Sequence, residues 1–405
     1  MMDLIRRIYR GRGSDRILSF CIAFLLVYGI VMIGSASVGQ TATKGATFAT
    51  LNMIKQAVFV VAGYILMFIM IRGFKKDFVK TRLTWLLYIC GLGLMLLCLL
   101  FSDTYGTHAW IRLAGGALTL QPSEFMKLIM ILLLSFHFGE LEELCTIPKQ
   151  ISRRLKEKLQ KKKFVYCIVR PFIAIFVVFF VCGFVQNDLG SALIIGFLCA
   201  MLFFITPRPY YRKFKKLALL IMLIVGILVV IGGVFVLRGY QMGRITTWLN
   251  PLKDVTGDSW QLVNSLVAFS TGGLLGRGFG SSRMKYGYIA ESHNDFIMPI
   301  IYEELGLVGF ALFLIPYCII IYKMFDYGMK VEDSKSKLIL FGVGIYFFTH
   351  LLVNVGGVSG FIPMTGVPLL LISYGGSSTW SAMISLGIAQ AIISKYNRDR
   401  LKEQI

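Results

Sequence analysis

The feature that most constrains this chain is a succession of long apolar stretches separated by shorter polar segments. About 20 apolar residues suffice to cross the roughly 30 Å of bilayer hydrocarbon as a helix. Hydrophobic residues make up 56% of the 405 residues and charged residues only 16%, which is unlike a soluble domain. The sequence therefore predicts an all-α integral membrane protein, a single polytopic domain over residues 1–405. About ten transmembrane helices are predicted, at approximately 17–37, 55–71, 84–101, 122–139, 167–185, 190–206, 217–237, 297–322, 338–355 and 378–394.

The distribution of basic residues predicts the orientation in the membrane, because Lys and Arg are enriched in cytoplasmic loops. Of the 42 Lys and Arg residues, 32 fall in segments on the same side as the termini and 9 on the opposite side. Both termini are thus predicted to be cytoplasmic, and 238–296 to be a large extracellular loop between helices 7 and 8. The net charge of +21 lies mainly in segments just inside the membrane, where basic residues suit anionic membrane lipid, although a solvated basic face is the favoured interpretation. No nucleic-acid partner is expected.

The cysteine and histidine pattern indicates neither disulfides nor a zinc site. None of the eight Cys residues lies in a predicted external loop, so no external disulfide framework is expected. Cys and His spacings typical of zinc sites are also missing from the sequence.

Polar residues in the second external loop and in the helix after it are functional candidates. Trp110 and Arg112 lie near a predicted membrane interface, and the QPSE stretch from Gln121 predicts a helix start. Lys127 follows Glu124 by three residues, so the two side chains can pair on one helix face. Ionisable residues inside a membrane span are costly and often functional. A purely structural ion pair is an equally weighted alternative.

Carboxylates recur at two further boundaries. Asp188, with Gln186 beside it, lies in the short turn between the fifth and sixth predicted helices. A helix cap is the favoured role for Asp188, and binding of a cation or a substrate hydroxyl is the alternative. Glu303 and Glu304 are adjacent in the eighth predicted helix, and we expect one of them to face the protein interior.

Two irregular segments complete the candidate site. Residues 354–378 are too apolar for an aqueous loop and too rich in Gly and Pro for a helix, which predicts a re-entrant wall or floor of a cavity. The 238–296 loop contains GGLLGRGFGSS, which lacks the nucleotide-loop pattern and is interpreted as a compact turn. The loop ends on His293, Asn294 and Asp295 at a membrane boundary.

Four motifs now identify a family resemblance: WIRLAGGALTLQPSEFMKL, QNDLGSAL, the run from NPLKD to ESHNDFIMPIIYEELGLVG, and PMTGVPLLLISYGGSS. In this order they resemble the SEDS family (shape, elongation, division and sporulation), which includes FtsW, RodA and SpoVE. The resemblance implies a peptidoglycan glycosyltransferase that polymerises lipid II into β-1,4 glycan strands for cell division, elongation or sporulation. It also implies an active face outside the bacterial cytoplasmic membrane. The implied partners are a class B penicillin-binding protein acting as transpeptidase and other divisome or elongasome membrane proteins.

The resemblance assigns the catalytic role to Asp295, and a carboxylate suits general-base activation of the acceptor sugar's hydroxyl. Direct displacement of the pyrophosphate inverts the anomeric centre, so an inverting enzyme needs no nucleophile of its own. No metal ligands are predicted, and a divalent cation, Mg²⁺ or Mn²⁺, is left open. A translocase (flippase) of lipid-linked precursor and a non-catalytic scaffold are the alternatives. The predicted substrate-binding residues are Trp110, Arg112, Gln121, Glu124, Lys127, Gln186, Asp188, Arg244, Arg277, Lys285, His293, Glu303, Ser373 and Ser377.

Overall fold

The computed structural model describes residues 13–74, 80–102, 106–113, 118–140, 152–206, 208–236, 246–257 and 259–403. Within these ranges the chain is predominantly helical, as predicted. The helices are α1 (Arg16–Val38), α2 (Thr41–Lys44), α3 (Phe48–Gly73), α4 (Thr81–Leu97), α5 (Pro122–Gly139), α6 (Arg153–Phe164), α7 (Arg170–Phe180), α8 (Leu189–Ile205), α9 (Arg212–Val236), α10 (Trp260–Gly272), α11 (Ile297–Lys330), α12 (Ser334–Val358) and α13 (Gly376–Glu403). Two short strands, β1 (Ile111–Leu113) and β2 (Leu118–Leu120), pair antiparallel.

The predicted spans coincide with helices throughout the described chain, which confirms the all-α membrane architecture. In that part of the chain, seven helices are long and apolar enough to cross a membrane. The number rises to eight if the bent pair Leu189–Ile205 and Pro209–Ile224 forms one span. Ten crossings and cytoplasmic termini stay predictions.

Local sequence explains where several helices begin. Asp15, Asp188 and Asp333 each cap a helix by accepting from the backbone N–H three residues further along the chain. Such a cap satisfies one of the N–H groups that a helix start leaves without an intrahelical partner. Pro122 occupies the first turn of α5, where its missing N–H costs nothing. The capping role predicted for Asp188 is therefore confirmed.

Helices α5 and α12 form the buried centre of the molecule. In their most apolar stretches, 89% of the α5 residues and 72% of the α12 residues are buried, against 28% for α3 and α11. The two helices pack against each other, and both also contact α8. Any polar side chain on their facing surfaces must therefore find a partner inside the protein.

Helix α11 breaks at Gly306, where φ is 63° and ψ is −153°. The break leaves backbone groups without helical partners, and the Gly-rich turn of the 238–296 loop supplies replacements. Arg277 N and Gly278 N donate to the carbonyl groups of Glu303 and Glu304, each at 2.9 Å. The predicted compact turn is thus a backbone brace for a broken helix, which is how irregular backbone is tolerated in a span.

The fifth and sixth predicted helices form the predicted hairpin. One continuous helical segment runs over Arg153–Val185, with π-helical turns at Val165–Val169 and Val181–Val185. The chain then reverses within three residues, and Asn187 adopts φ 57°. Asn is among the few non-glycine residues that enter this left-handed region readily.

Within the predicted segment 354–378, residues 359–375 are non-helical as predicted, whereas 354–358 belong to α12 and 376–378 to α13. Two of its backbone N–H groups donate to residues from elsewhere in the chain. Gly375 N donates to Gln56 Oε1 at 3.2 Å, and Tyr374 N donates to the carbonyl of His293 at 3.0 Å. Leu369 and Leu370 are fully buried, so the segment is inserted into the helical bundle.

Candidate active site

Asp295 lies at the end of the 238–296 loop, two residues before α11 begins. Its side chain is partly exposed, and it lines a cavity of about 10 Å³ together with Asn354, Gly357 and residues 364–367. A Cβ placed on Gly366 would lie 3.4 Å from Asp295 Oδ2. Gly366 has φ 68°, a conformation that favours glycine. The 354–378 segment therefore forms the predicted wall facing Asp295.

The end of the loop is hydrogen-bonded to the C-terminal end of α1 and to the residues between α1 and α2. Gln40 Nε2 donates to the carbonyl of Ala290 at 2.7 Å, and Ser292 Oγ donates to the carbonyl of Ala36 at 3.3 Å. A tight turn follows, in which Phe296 N donates to the carbonyl of Glu291 at 3.2 Å. These bonds fix the end of the loop, and with it Asp295, next to the start of α11.

His293 is buried next to this turn, with its ring edge-on to Phe48 and tilted against Tyr374. Burial lowers the pKa of His293 to about 4, and Lys44 adds to this effect while Glu291 opposes it. The imidazole is therefore neutral near pH 7 and offers no cationic charge to a pyrophosphate. Its Nδ1 is buried without a hydrogen-bond partner among the described residues. The side chain packs between aromatic rings, so its predicted part in substrate binding stays a prediction.

Hydrogen bonds join three separate parts of the chain through Gln121, Asp188 and Ser377. Gln121 Nε2 donates to Asp188 Oδ2 at 3.1 Å, and Gln121 N donates to Ser377 Oγ at 2.9 Å. A Cβ on Gly190 would lie 2.8 Å from the carbonyl of Thr365, so the turn after Asp188 abuts the wall that faces Asp295. The second external loop, the hairpin turn and the 354–378 segment are thus brought together, as predicted.

Glu124 and Lys127 form the predicted ion pair, with Nζ and Oε1 2.6 Å apart and side chains 2% and 1% exposed. His350 extends the pair across to α12, because its Nε2 lies 3.1 Å from Lys127 Nζ. The carbonyl of Pro368 lies 3.0 Å from His350 Nδ1 and can only accept, so Nδ1 carries the proton and Nε2 accepts from the ammonium. Tyr346 donates to Glu124 Oε2 at 3.3 Å. The network connects α5 to the 354–378 segment through protein groups alone.

Glu303 and Glu304 are both fully buried, so the expectation that one of them faces the interior is too narrow. Both face the loop that braces the helix break. Glu303 accepts from Ser282 Oγ and from the backbone N–H of Arg283 at 3.0 Å. Glu304 accepts from Ser35 Oγ at 2.7 Å, which ties the same cluster to α1.

Lys285 forms an ion pair with Glu304 in this buried cluster, and its three donors are all used. Nζ donates to Glu304 Oε1 at 2.8 Å, to the carbonyl of Gly280 at 2.8 Å and to Ser35 Oγ at 3.2 Å. An ammonium has no fourth donor, so substrate binding by Lys285 would require one of these bonds to break, and its predicted role in substrate binding stays a prediction. Arg277 lies at the rim of the cluster, 3.7 Å from Glu303 and with 28% of its side chain exposed.

Of the remaining residues predicted to bind substrate, three make hydrogen bonds within the protein: Arg112, Gln186 and Ser373. Trp110 and Arg112 are half-buried beside β1, where Arg112 Nη1 donates to Ser102 Oγ at 3.2 Å. Gln186 is buried and donates to the carbonyl of Met95 at 2.8 Å, and Ser373 Oγ accepts from Leu369 N at 2.9 Å. Arg244 lies outside the described residues.

Asn354 was missed by the sequence analysis, although it contacts the candidate base directly. Its Nδ2 donates to the carbonyl groups of Asp295 at 2.8 Å and Val367 at 2.7 Å. His350, to which no role was assigned, lies one helical turn earlier on α12. Two polar residues four apart share a helix face, and in an apolar span that spacing is a signal for a polar contact surface.

The described residues contain no group of three or more Cys, His, Asp or Glu side chains that could hold a metal ion. Asp295 and the amide oxygen of Asn354 line one cavity and are the hard oxygen type that Mg²⁺ prefers. They supply too few ligands for a dedicated protein cage. A divalent cation at this site would have to take most of its ligands from substrate and water.

Comparison with known proteins identifies the family of this chain. The family model for the FtsW, RodA and SpoVE cell cycle proteins matches residues 16–398. A probable peptidoglycan glycosyltransferase FtsW of Bacillus subtilis is 28% identical over 97% of this chain and 94% of its own length. Stage V sporulation protein E of the same organism is 30% identical, covering 95% of this chain and 98% of its own.

Two solved structures show the same fold. A chain from work on structural coordination of polymerization and crosslinking by a peptidoglycan synthase complex has a TM-score of 0.67 at 24% identity, covering 96% of this chain and 98% of its own. Rod shape determining protein RodA of Thermus thermophilus has a TM-score of 0.62 at 23% identity, covering 96% and 97%. With a family model that spans nearly the whole sequence, this multi-pass membrane protein belongs to the FtsW, RodA and SpoVE family, the SEDS proteins.

Proposed function

We propose that this protein is a peptidoglycan glycosyltransferase that polymerises lipid II, with Asp295 as its general base. One observation carries the proposal: Asp295 is partly exposed in a cavity between the loop end and the 354–378 segment. A carboxylate in that position can reach a sugar hydroxyl while the lipid tail of the same substrate stays among the helices. The probable glycosyltransferase relatives support the same activity.

The reaction needs one proton transfer and one displacement. The 4-hydroxyl oxygen of the acceptor sugar attacks the anomeric carbon of the donor, and its proton passes to the Asp295 carboxylate. The bond from that carbon to the pyrophosphate breaks, and the pyrophosphate leaves on its lipid carrier with the bonding electron pair. A single inversion converts the α-linked donor into a β-linked product, so no covalent intermediate with the enzyme is required.

The departing pyrophosphate carries negative charge that must be stabilised. Arg112 and Arg277 are the predicted cations with exposed side-chain surface in the described chain. Arginine can bind a phosphate through two parallel hydrogen bonds. A divalent cation bound with the substrate is a second source of positive charge, and we propose that Mg²⁺ or Mn²⁺ fills this role. Omitting the metal should then slow polymerisation.

We place the activity at the outer face of the bacterial cytoplasmic membrane, in complex with a class B penicillin-binding protein as transpeptidase. The basic residues on the side of the termini support this orientation. The similar chain from a peptidoglycan synthase complex supports the partner, because that assembly couples polymerization to crosslinking. Other divisome or elongasome membrane proteins are expected in the same assembly.

Reconstitution of the purified protein in liposomes with labelled lipid II tests the proposal. Glycan polymer should form with the wild-type chain and fall by two or more orders of magnitude in Asp295→Asn, as removal of a general base predicts. Asp254→Asn is the matched control, because Asp254 is an exposed carboxylate in the same loop. Movement of lipid II across the bilayer without polymer would support a translocase. Neither activity would support a scaffold.

A further inference from the structure

The amide of Asn354 has only one chemically sensible orientation. Its Nδ2 lies 2.8 Å from the carbonyl oxygen of Asp295 and 2.7 Å from that of Val367. Both groups can only accept hydrogen bonds, so the amide nitrogen with its two N–H groups must face them. Rotating the amide by half a turn would bring its oxygen against two other oxygens. The position of Oδ1 is therefore determined by the backbone around it.

This oxygen is left without a partner. Asn354 is 3% exposed, and its Oδ1 is buried with no hydrogen bond from any described residue. Leaving a buried acceptor unpaired costs about 1–3 kcal/mol. An uncompensated acceptor beside a candidate catalytic group indicates a place where a ligand donates.

The same cavity contains Asp295 and Asn354, and its volume of about 10 Å³ accommodates one water-sized or hydroxyl-sized group. Ionised Asp295 also only accepts hydrogen bonds. Two acceptors therefore line one opening. A sugar that places one hydroxyl on each acceptor is complementary to this pair.

We propose that Asn354 Oδ1 binds the acceptor sugar by accepting a hydrogen bond from its 3-hydroxyl, the neighbour of the attacking 4-hydroxyl. This inference rests on the proposed function, and it assigns Asn354 a substrate-binding role in the same reaction. One hydroxyl on Asn354 and the next on Asp295 orient the attacking oxygen towards the donor. A site built to bond a hydroxyl discriminates against the analogue that lacks it, because its polar group is then left unpaired.

The test compares polymerisation of lipid II with that of an analogue whose acceptor sugar lacks the 3-hydroxyl. Wild-type protein should use the analogue about tenfold more slowly at subsaturating concentration, the factor that corresponds to ~1.4 kcal/mol. Asn354→Ala should be slower on normal lipid II and should use the two substrates at nearly equal rates. Asn52→Ala is the matched control: Asn52 is a buried asparagine that lies outside this cavity, and its variant should keep the tenfold ratio.

Retention of the tenfold ratio in Asn354→Ala would overturn the inference, because the cavity would then hold only a water molecule. Equal use of both substrates by the wild-type protein would overturn it as well. If Asn354→Ala does not fold, Asn354→Ser replaces it, since a hydroxyl can still donate to one of the two carbonyl groups. Absence of any polymer with wild-type protein would instead refute the proposed function itself.

Discussion

Lys127→Met should strongly destabilise the protein, because it leaves the Glu124 carboxylate charged and buried. The Lys127 ammonium lies 2.6 Å from Glu124 Oε1, and the two side chains are 1% and 2% exposed. After the substitution, Tyr346 at 3.3 Å is the remaining side-chain donor recorded for this carboxylate. Removing one partner of such a buried pair costs ~3–5 kcal/mol. That is a large share of the 5–15 kcal/mol that typically stabilises a folded domain.

A double variant separates the loss of charge balance from the loss of packing. Glu124→Gln combined with Lys127→Met removes both charges and keeps side chains of similar volume. Replacing a whole buried ion pair by neutral groups is often close to neutral in stability. We therefore expect the double variant to recover most of the stability that Lys127→Met loses.

Equilibrium unfolding in mixed micelles with increasing sodium dodecyl sulfate measures these differences. Lys330→Met is the matched control, because Lys330 lies 2.6 Å from Asp326 but is 46% exposed. An exposed pair contributes up to ~1 kcal/mol, so the control should change little. Equal destabilisation by Lys127→Met and Lys330→Met would refute the reasoning. A double variant as unstable as Lys127→Met alone would refute it too.

Two further predictions concern the loop that carries Asp295. Gly306→Ala should lower the thermal unfolding temperature, because its Cβ would lie 2.4 Å from Gly276 N, and its backbone adopts a positive-φ conformation, essentially restricted to glycine, that costs a side chain ~1–3 kcal/mol. Gly93→Ala in α4 is the control, because its Cβ would meet nothing within 4 Å, and it should leave the unfolding temperature unchanged or raise it. If the two variants lowered the unfolding temperature equally, the idea that the Gly-rich turn braces the break at Gly306 would be contradicted. The pKa of His293 is about 4 in the folded protein, against 6.5 for an ordinary histidine. Between pH 6.5 and pH 4 the imidazole is therefore protonated in the unfolded chain but neutral in the folded protein. Stability should therefore fall as pH drops from 6.5 to 4, by about 3 kcal/mol, and His293→Asn should flatten that slope; an unchanged slope would show that His293 is not its origin.

Much of the fold was predictable because the deciding signals are local. Hydropathy over about 20 residues places the spans, since each helix satisfies its own backbone in the membrane. Asp188 was predictable as a cap for the same reason, because its carboxylate and the N–H group that donates to it are three residues apart. The break at Gly306 was not predictable, because the groups that replace its helical bonds come from residues 273–278.

In the candidate site, too, the contacts that could not be predicted join residues that are distant in the sequence. Lys285 was assigned to substrate from its place in a polar loop, but its partners Ser35 and Glu304 lie 250 and 19 residues away. The spacing of His350 and Asn354 indicates a polar helix face, but it does not identify the residues that this face contacts. The contact of Asn354 with Asp295 spans 59 residues and exists only after α12 and the loop have packed together.

Burial now divides the predicted ionisable residues into two functional groups. Lys127 and Lys285 are buried with protein partners, and the carboxylates that pair with them are buried as well, so moving any one of them towards a ligand would leave another charge uncompensated. Asp295, Arg112 and Arg277 retain exposed surface at the ends of helices and loops. The proposed reaction therefore depends on few charges. In that proposal one carboxylate takes the proton, while positive charge for the pyrophosphate comes from rim arginines or from a cation that arrives with the substrate. The buried groups instead join structural elements: Lys285 links the 238–296 loop to α11, and Lys127 links α5 to α12.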